Sequence, residues 1–170
     1  MNPVIIIGNG IAAVSAAEAF REHDKNTPLI IISGEPYYAY YRLRLSDLLG
    51  DTPDLDKLYI HKPEWYRNLN IDVWLGHKAI EIDTQKQSVT LDNGKTVNFS
   101  KLLLANGSSA FIPPVPGIDI PGVFSIRSLD DVNNFNEFIN DKTQGVVIGG
   151  GLLGLEVAWS LANKGKNIYV

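Results

Sequence analysis

The chain has no cysteine among its 170 residues. That excludes a disulfide framework, a thiolate metal site and a catalytic thiol from this stretch. Histidine is nearly as scarce. His23, His61 and His77 stand far apart, match no ligand spacing and read as surface or loop residues, so no metal site is expected. No Ser/His/Asp or paired-carboxylate pattern stands out, and no catalytic side chain is assigned. Long basic blocks are missing and the net charge is −4, which argues against nucleic acid and anionic membrane as partners. No apolar run approaches the roughly 20 residues of a membrane span. The N-terminus enters a strand with no charged leader, which leads to the expectation of a cytoplasmic protein. The sequons at Asn98 and Asn106 should then stay unused.

What is present is ordered around glycine. The hydrophobic fraction of 45% supports a packed core. Within it, two short apolar runs each lead into a glycine-rich turn. Val4-Ile5-Ile6-Ile7 precedes Gly8-Asn9-Gly10-Ile11-Ala12-Ala13, and Val146-Val147-Ile148 precedes Gly149-Gly150-Gly151-Leu152-Leu153-Gly154. Each reads as strand, tight turn, helix, the context that a dinucleotide-binding turn requires. The first glycine permits the sharp turn, the second lets a pyrophosphate approach the main chain, and the third position must be small so that helix and strand can pack. Ala13 and Gly154 fill that third position. Free N–H groups and the helix dipole at the helix start then favour an anion. One such turn alone could be an ordinary glycine turn; two in the same context indicate two nucleotide cofactors.

The first turn has an acidic partner. Beyond a helix from Ile11 to about Arg21 lies a second apolar run, Leu29–Ile32, followed by Glu35 at close to the expected spacing of about 20 residues. A carboxylate there can accept hydrogen bonds from ribose hydroxyls; the alternative is a solvated loop glutamate. The second turn has no such partner, because the chain stops at Val170 inside the next strand. The expectation is therefore the front portion of a longer protein.

Between the turns the pattern is mixed. Residues 34–62 are loop-rich, with a short helix near Leu45–Leu49. Pro63 opens a short helix to Asn70, and Ile71–Leu75 reads as a strand. Lys78–Ile82, Ser88–Asp92 and the strand beyond Asn93-Gly94 form an antiparallel meander, the Asn-Gly pair being a hairpin signal. Lys101–Ala105 is expected to be a buried strand. Pro113–Gly117 is a stiff crossing, Ser128 and Asp131 cap a helix over Leu129–Asn140, and Trp65, Trp74 and Trp159 are assigned to the core. Tyr37, Tyr38, Tyr40 and Tyr41 read as packing.

Together these motifs resemble the flavoprotein reductases with two dinucleotide-binding domains, in the branch without a redox disulfide. Rubredoxin reductases, ferredoxin reductases and the flavin front end of NADH nitrite reductase belong to it. The resemblance runs from Val4 to Val170. It implies an α/β fold: a Rossmann-like FAD domain with an inserted antiparallel β-meander, then the start of a second Rossmann-like domain for NAD(P)H. The corresponding boundaries are 1–114 for the FAD segment, 115–143 for linker and helix, and 144–170 for the start of the NAD(P)H domain. The same resemblance implies FAD at Gly8, Gly10, Ala13 and Glu35. The run Glu35-Pro36-Tyr37-Tyr38-Ala39-Tyr40-Tyr41-Arg42-Leu43-Arg44-Leu45-Ser46 is similar to the family's segment after that glutamate, which brings Arg42 to the FAD phosphates and flavin. Many relatives carry lysine after the serine; here it is Asp47. Ala79 is implied as an adenine contact through its backbone, and Gly107 as a close approach in Ala105-Asn106-Gly107, where relatives have threonine in the middle. Val123–Arg127 resembles the strand whose arginine lies near the flavin, although Arg127 reads equally as a helix-flanking surface charge. Gly149, Gly151 and Gly154 would hold the NADH or NADPH pyrophosphate. Glu156 resembles the glutamate beside the nicotinamide amide, or is a solvated first-turn helix residue.

The implied activity is an FAD-dependent NAD(P)H oxidoreductase that passes electrons to an outside acceptor: rubredoxin, a ferredoxin or other iron–sulfur protein, or a sirohaem module. In the family the FAD domain resumes after the NAD domain, so this chain should retain FAD weakly and turn over little NAD(P)H. The alternatives are a non-catalytic nucleotide-binding module and a flavin NADH oxidase, which usually relies on a cysteine.

Overall fold

Runs of β-branched residues start the fold. In the computed structural model, which describes residues 1–170, Val4–Ile7 forms strand β1 and Leu29–Ser33 forms β2. They are joined by helix α1, Ile11–His23. Strands β3 (Ile71–Leu75) and β7 (Lys101–Leu104) complete a four-stranded parallel sheet in the order β3-β2-β1-β7. Its register pairs Val4 with Leu29 and with Lys101. A parallel sheet covered on both faces reads as near-continuous apolar strands, and that is why Ile5, Ile6, Ile31 and Ile32 are all buried.

Alternation along the strands separates two cores. Ile6, Leu29, Ile31 and Ile71 pack with Ala13, Val14 and Ala17 of α1. Ile5 and Ile32 pack on the opposite face with Val89, Leu91 and Phe99. Those last residues belong to or adjoin the meander, β4 (Ala79–Asp83), β5 (Ser88–Leu91) and β6 (Thr96–Asn98), in the antiparallel order β4-β5-β6. Gly94 turns the β5–β6 hairpin at φ +81°. The meander is thus a third layer that covers one face of the parallel sheet.

Arg21 anchors this unit at the end of α1. It is 2% exposed, and its guanidinium donates to the carbonyls of Leu69 (2.7 Å), Asp24 (2.9 Å) and Asn70 (2.9 Å). Burial pushes its pKa down from the ordinary arginine value. The Leu69 and Asn70 carbonyls sit where the short helix α3 (Pro63–Asn68) turns into β3, and the Asp24 carbonyl at the C-cap of α1. The helix ends two residues sooner than expected, because Asn70 adopts φ +50° to enter the strand.

The chain forms two compact units. The first comprises residues 1–40 and 59–108, and the second 41–58 and 109–170. In the second, a 3-10 segment spans Arg42–Leu48 where a short helix over Leu45–Leu49 was expected, and α2 covers Leu55–Leu58. Helix α4 (Leu129–Ile139) carries the expected capping box: the Ser128 hydroxyl accepts from the Asp131 N–H at 3.2 Å, and the Asp131 carboxylate accepts from the Ser128 N–H at 2.7 Å. Strands β8 (Gln144–Val146) and β9 (Asn167–Tyr169) pair in parallel and flank helix α5 (Leu152–Ala162). Helices α4 and α5 both pack against the 3-10 segment.

Two burial expectations and one strand expectation change. Strand β7 is not buried: it is the sheet's edge, with Leu104 58% exposed. Trp159 is 69% exposed rather than core, because it lies on the uncovered face of α5. Residues 123–127 join no strand and lead instead into the cap of α4. Trp65 and Trp74 do pack against the two cores of the first unit.

Candidate functional site

The first glycine turn is fixed by its neighbours. Gly8 lies at φ +107°, a conformation that side chains rarely adopt. A Cβ there would stand 2.1 Å from the Ala105 carbonyl oxygen. Main-chain bonds hold both sides of this approach: the Gly8 N–H donates to the Ile32 carbonyl (2.8 Å) and the Ala105 N–H to the Ile7 carbonyl (2.7 Å). Gly10 is the N-cap of α1 and supplies no side-chain cap, and the helix has no acidic residue in its first turn. The α1 start is therefore a run of N–H donors with no competing anion, as an anion site requires. Ala13, in the third position, is fully buried.

Two side chains frame this turn. Asn9 donates to the Tyr37 carbonyl at 3.2 Å, while its buried Oδ1 accepts nothing from the protein. A buried polar oxygen without a partner is unusual, and here it lies inside the proposed phosphate turn. Glu35 follows β2, half-buried, and its Oε2 accepts from the Tyr40 hydroxyl at 2.5 Å. The tyrosine thus fixes the carboxylate rotamer, a role the sequence pattern did not single out. Ala79 opens β4 beside a register irregularity and is half-buried, and Gly107 lies exposed at φ +69°.

The second turn repeats the arrangement. Gly149 adopts φ +117°. Gly151 caps α5 without a side chain, again with no acidic residue in the first helical turn. Gly154 is required for space: a Cβ would lie 2.0 Å from the Gly149 carbonyl oxygen. Glu156 stands in the second turn of α5, half-buried, with the Ser46 hydroxyl 3.5 Å from its Oε2. It is not a first-turn residue of the helix.

Arg42 and Arg127 both belong to the second unit. They meet directly, the Arg42 guanidinium donating to the Arg127 carbonyl at 2.9 Å. The Arg127 N–H donates to Asp131 at 2.9 Å. Asp47, directly after Ser46, is exposed and lies 3.8 Å from Arg44. No group of acidic, histidine or cysteine side chains could hold a metal ion, and no helix is long and apolar enough to cross a membrane.

Two strand–glycine turn–helix units with bare helix starts define an α/β protein built for dinucleotides. Residues 2–170 match the pyridine nucleotide-disulphide oxidoreductase family, and the chain belongs to it. It is 34% identical over 98% of its length to the assimilatory nitrate reductase electron transfer subunit of Bacillus subtilis, and covers 22% of that protein. It is 35% identical over 95% of its length to the NADH-rubredoxin oxidoreductase of Clostridium acetobutylicum, covering 42% of it. The crystal structure of a ferredoxin reductase from Rhodopseudomonas palustris superposes with a TM-score of 0.90 at 27% identity, over 99% of this chain and 42% of that one. The chain thus spans well under half the length of these relatives. The family is one of flavoproteins, with FAD and NADH or NADPH as the cofactor pair. The disulphide in its name has no counterpart here, for want of cysteine.

Proposed function

We propose that this chain is the part of an FAD-dependent NAD(P)H oxidoreductase that binds the FAD adenosine and pyrophosphate and opens the nicotinamide domain. The carrying observation is the pair of glycine turns, each ending in a helix start of N–H donors with no acid in the first turn. The residues fit the cofactor: Gly8 leaves the main chain bare, the α1 start offers N–H donors with no acid in its first turn, and Glu35 is held for ribose hydroxyls. Bound FAD supplies hydride acceptance and one-electron release.

The chain's own residues do the positioning. Gly8, Gly10 and Ala13 admit the FAD pyrophosphate, with Ala79 and Gly107 offering backbone approach and Arg42 and Arg127 serving the phosphate and flavin side. Gly149, Gly151 and Gly154 admit the NADH or NADPH pyrophosphate, and Glu156, steadied by Ser46, accepts from the nicotinamide amide. On this reading residues 1–114 belong to the FAD domain, 115–143 to the crossing, and 144–170 to the NAD(P)H domain. The whole protein delivers electrons to an outside acceptor: rubredoxin, an iron–sulfur protein or a nitrite-reductase module.

Anaerobic visible absorption of the purified chain, titrated with FAD and then NADH, tests the proposal. A flavin band that shifts on binding and bleaches with NADH supports both sites. A band that forms but does not bleach supports a flavin-binding module without hydride transfer. A chain that leaves the FAD spectrum unchanged overturns the flavin assignment.

A further inference from the structure

A 3-10 helix rarely runs beyond three or four residues, because its hydrogen-bond geometry is poor. The segment Arg42–Leu48 runs for seven. What sustains it lies at its C-terminal end, in the turn Leu48–Asp51. The Asn136 carboxamide reaches this turn from the middle of α4. Its Oδ1 accepts from the Gly50 N–H at 2.6 Å, and its Nδ2 donates to the carbonyls of Leu48 (2.9 Å) and Asp51 (2.7 Å). Three of the four hydrogen bonds that a carboxamide can form thus go to one turn. Lys164, two residues past α5, completes the grip. Its ammonium donates to the Leu49 carbonyl at 2.5 Å and pairs with the Asp51 carboxylate. Its stem lies against Gly50, where a Cβ would come within 2.9 Å of the lysine Cδ, and Gly50 sits at φ +80°.

The other end of the segment is held by the same helix. Arg42 donates to the Arg127 carbonyl immediately before the α4 capping box. Helix α4 and the residue leading into its cap therefore hold the segment at both ends, while the turn just past α5 holds it at one. The apolar anchors of α4 are Leu129, Val132 and Ile139, so the Asn136 side chain is not what buries the helix.

We propose that Asn136 and Lys164 are positioning residues for Arg42. They lock the Leu48–Asp51 turn and so keep the 3-10 segment wound, with the guanidinium set for the FAD phosphates. The inference rests on the FAD reading above. It ties that arginine mechanically to the two helices flanking the nicotinamide turn.

The test uses the full chain with Asn136→Leu, Lys164→Met and Lys164→Arg. Nitrogen-15 NMR reads the Gly50 amide exchange and the order of the Arg42 Nε–H without cofactor, and fluorescence titration reads FAD affinity. With Asn136→Leu, Gly50 exchange should accelerate about tenfold or more, the Arg42 Nε–H should lose order, and FAD affinity should fall about tenfold. Lys164→Met should move the same signals less, and Lys164→Arg should restore them. Unchanged Arg42 order in Asn136→Leu, or failure of Lys164→Arg to improve on Lys164→Met, overturns the proposal. Should Asn136→Leu not fold, the lysine pair decides by the same signals. A parent chain that takes no FAD sinks the flavin reading instead, and the clamp then stands or falls on Arg42 order alone.

Discussion

The two glycine turns share a pattern but not a setting. Around the first, β1 is the inner strand of a three-layer unit, and Ile5 and Ile6 are at most 2% exposed. Around the second, β8 pairs only with β9, and Val146 and Ile148 are 73% and 89% exposed. Gly8 is needed for its φ and also because the Ala105 carbonyl stands where a side chain would be. Gly149 has a similar φ, but a Cβ there would meet nothing within 4 Å. In the third position the constraint reverses: Ala13 fits its core, whereas Gly154 has the Gly149 carbonyl against it. The turn chemistry is thus local, while the cost of disturbing it is set by whichever strand lies alongside.

The largest effect expected from this difference is Gly8→Ala, which combines a strained φ with a backbone clash and should cost ~3 kcal/mol in urea denaturation. Gly149→Ala has strain alone and should cost ~1 kcal/mol; equal losses at the two glycines would break the comparison. Arg21→Met should destabilise the first unit by about 2–3 kcal/mol, since it strips hydrogen bonds from three carbonyls. Next comes the cap of α4: Asp131→Ala should cost about 1 kcal/mol, read from the thermal midpoint.

The smallest expected effect concerns pH and separates the two α–β connections. After α1, Asp24 accepts from the Thr27 hydroxyl and from the N–H groups of Thr27 and Asn26. These bonds, the Thr27 side chain foremost, hold its pKa down to about 2, below the unfolded value of about 3.9. The stabilisation is therefore complete above about pH 4 and is lost as pH falls through 2. After α5 the same task falls to Gly165 at φ +79°, with main-chain bonds from Gly165 to Ala162 and from Lys166 to Leu161, a glycine-terminated helix end closed by backbone groups. Acid unfolding curves of Asp24→Asn should flatten between pH 4 and 2. A curve identical to the parent's would mean that this connection carries no acid sensitivity.

Much of this was legible in the chain. The apolar runs at Val4, Leu29 and Ile71 marked strands, because β-branched residues fit a covered parallel sheet. Asn93-Gly94 marked the hairpin, and Ser128 with Asp131 marked a helix start. The glycine turns and the helix starts that follow them were read from spacing and residue type. Other features were not legible. Nothing in Lys101–Leu104 distinguishes an inner strand from an edge strand, since an apolar run fits both. Trp159 looked like core because sequence carries no record of what covers a helix face. Tyr40 on Glu35 and Asn136 on Leu48–Asp51 were also missed, the second because its partners lie more than 80 residues away.

By itself the sequence determined the elements that local sterics dictate: glycines where φ must be positive, a small residue where helix meets strand, caps where N–H groups need acceptors, and a chain without thiol chemistry. Only the tertiary structure decided the rest. It set which strand lies beside each turn, joined residues 41–58 to 109–170 in one unit, and gave Arg42 a carbonyl from residue 127. Those outcomes depend on contacts between segments far apart in the chain, and burial and hydrogen-bond satisfaction are settled by such contacts rather than by neighbours in sequence.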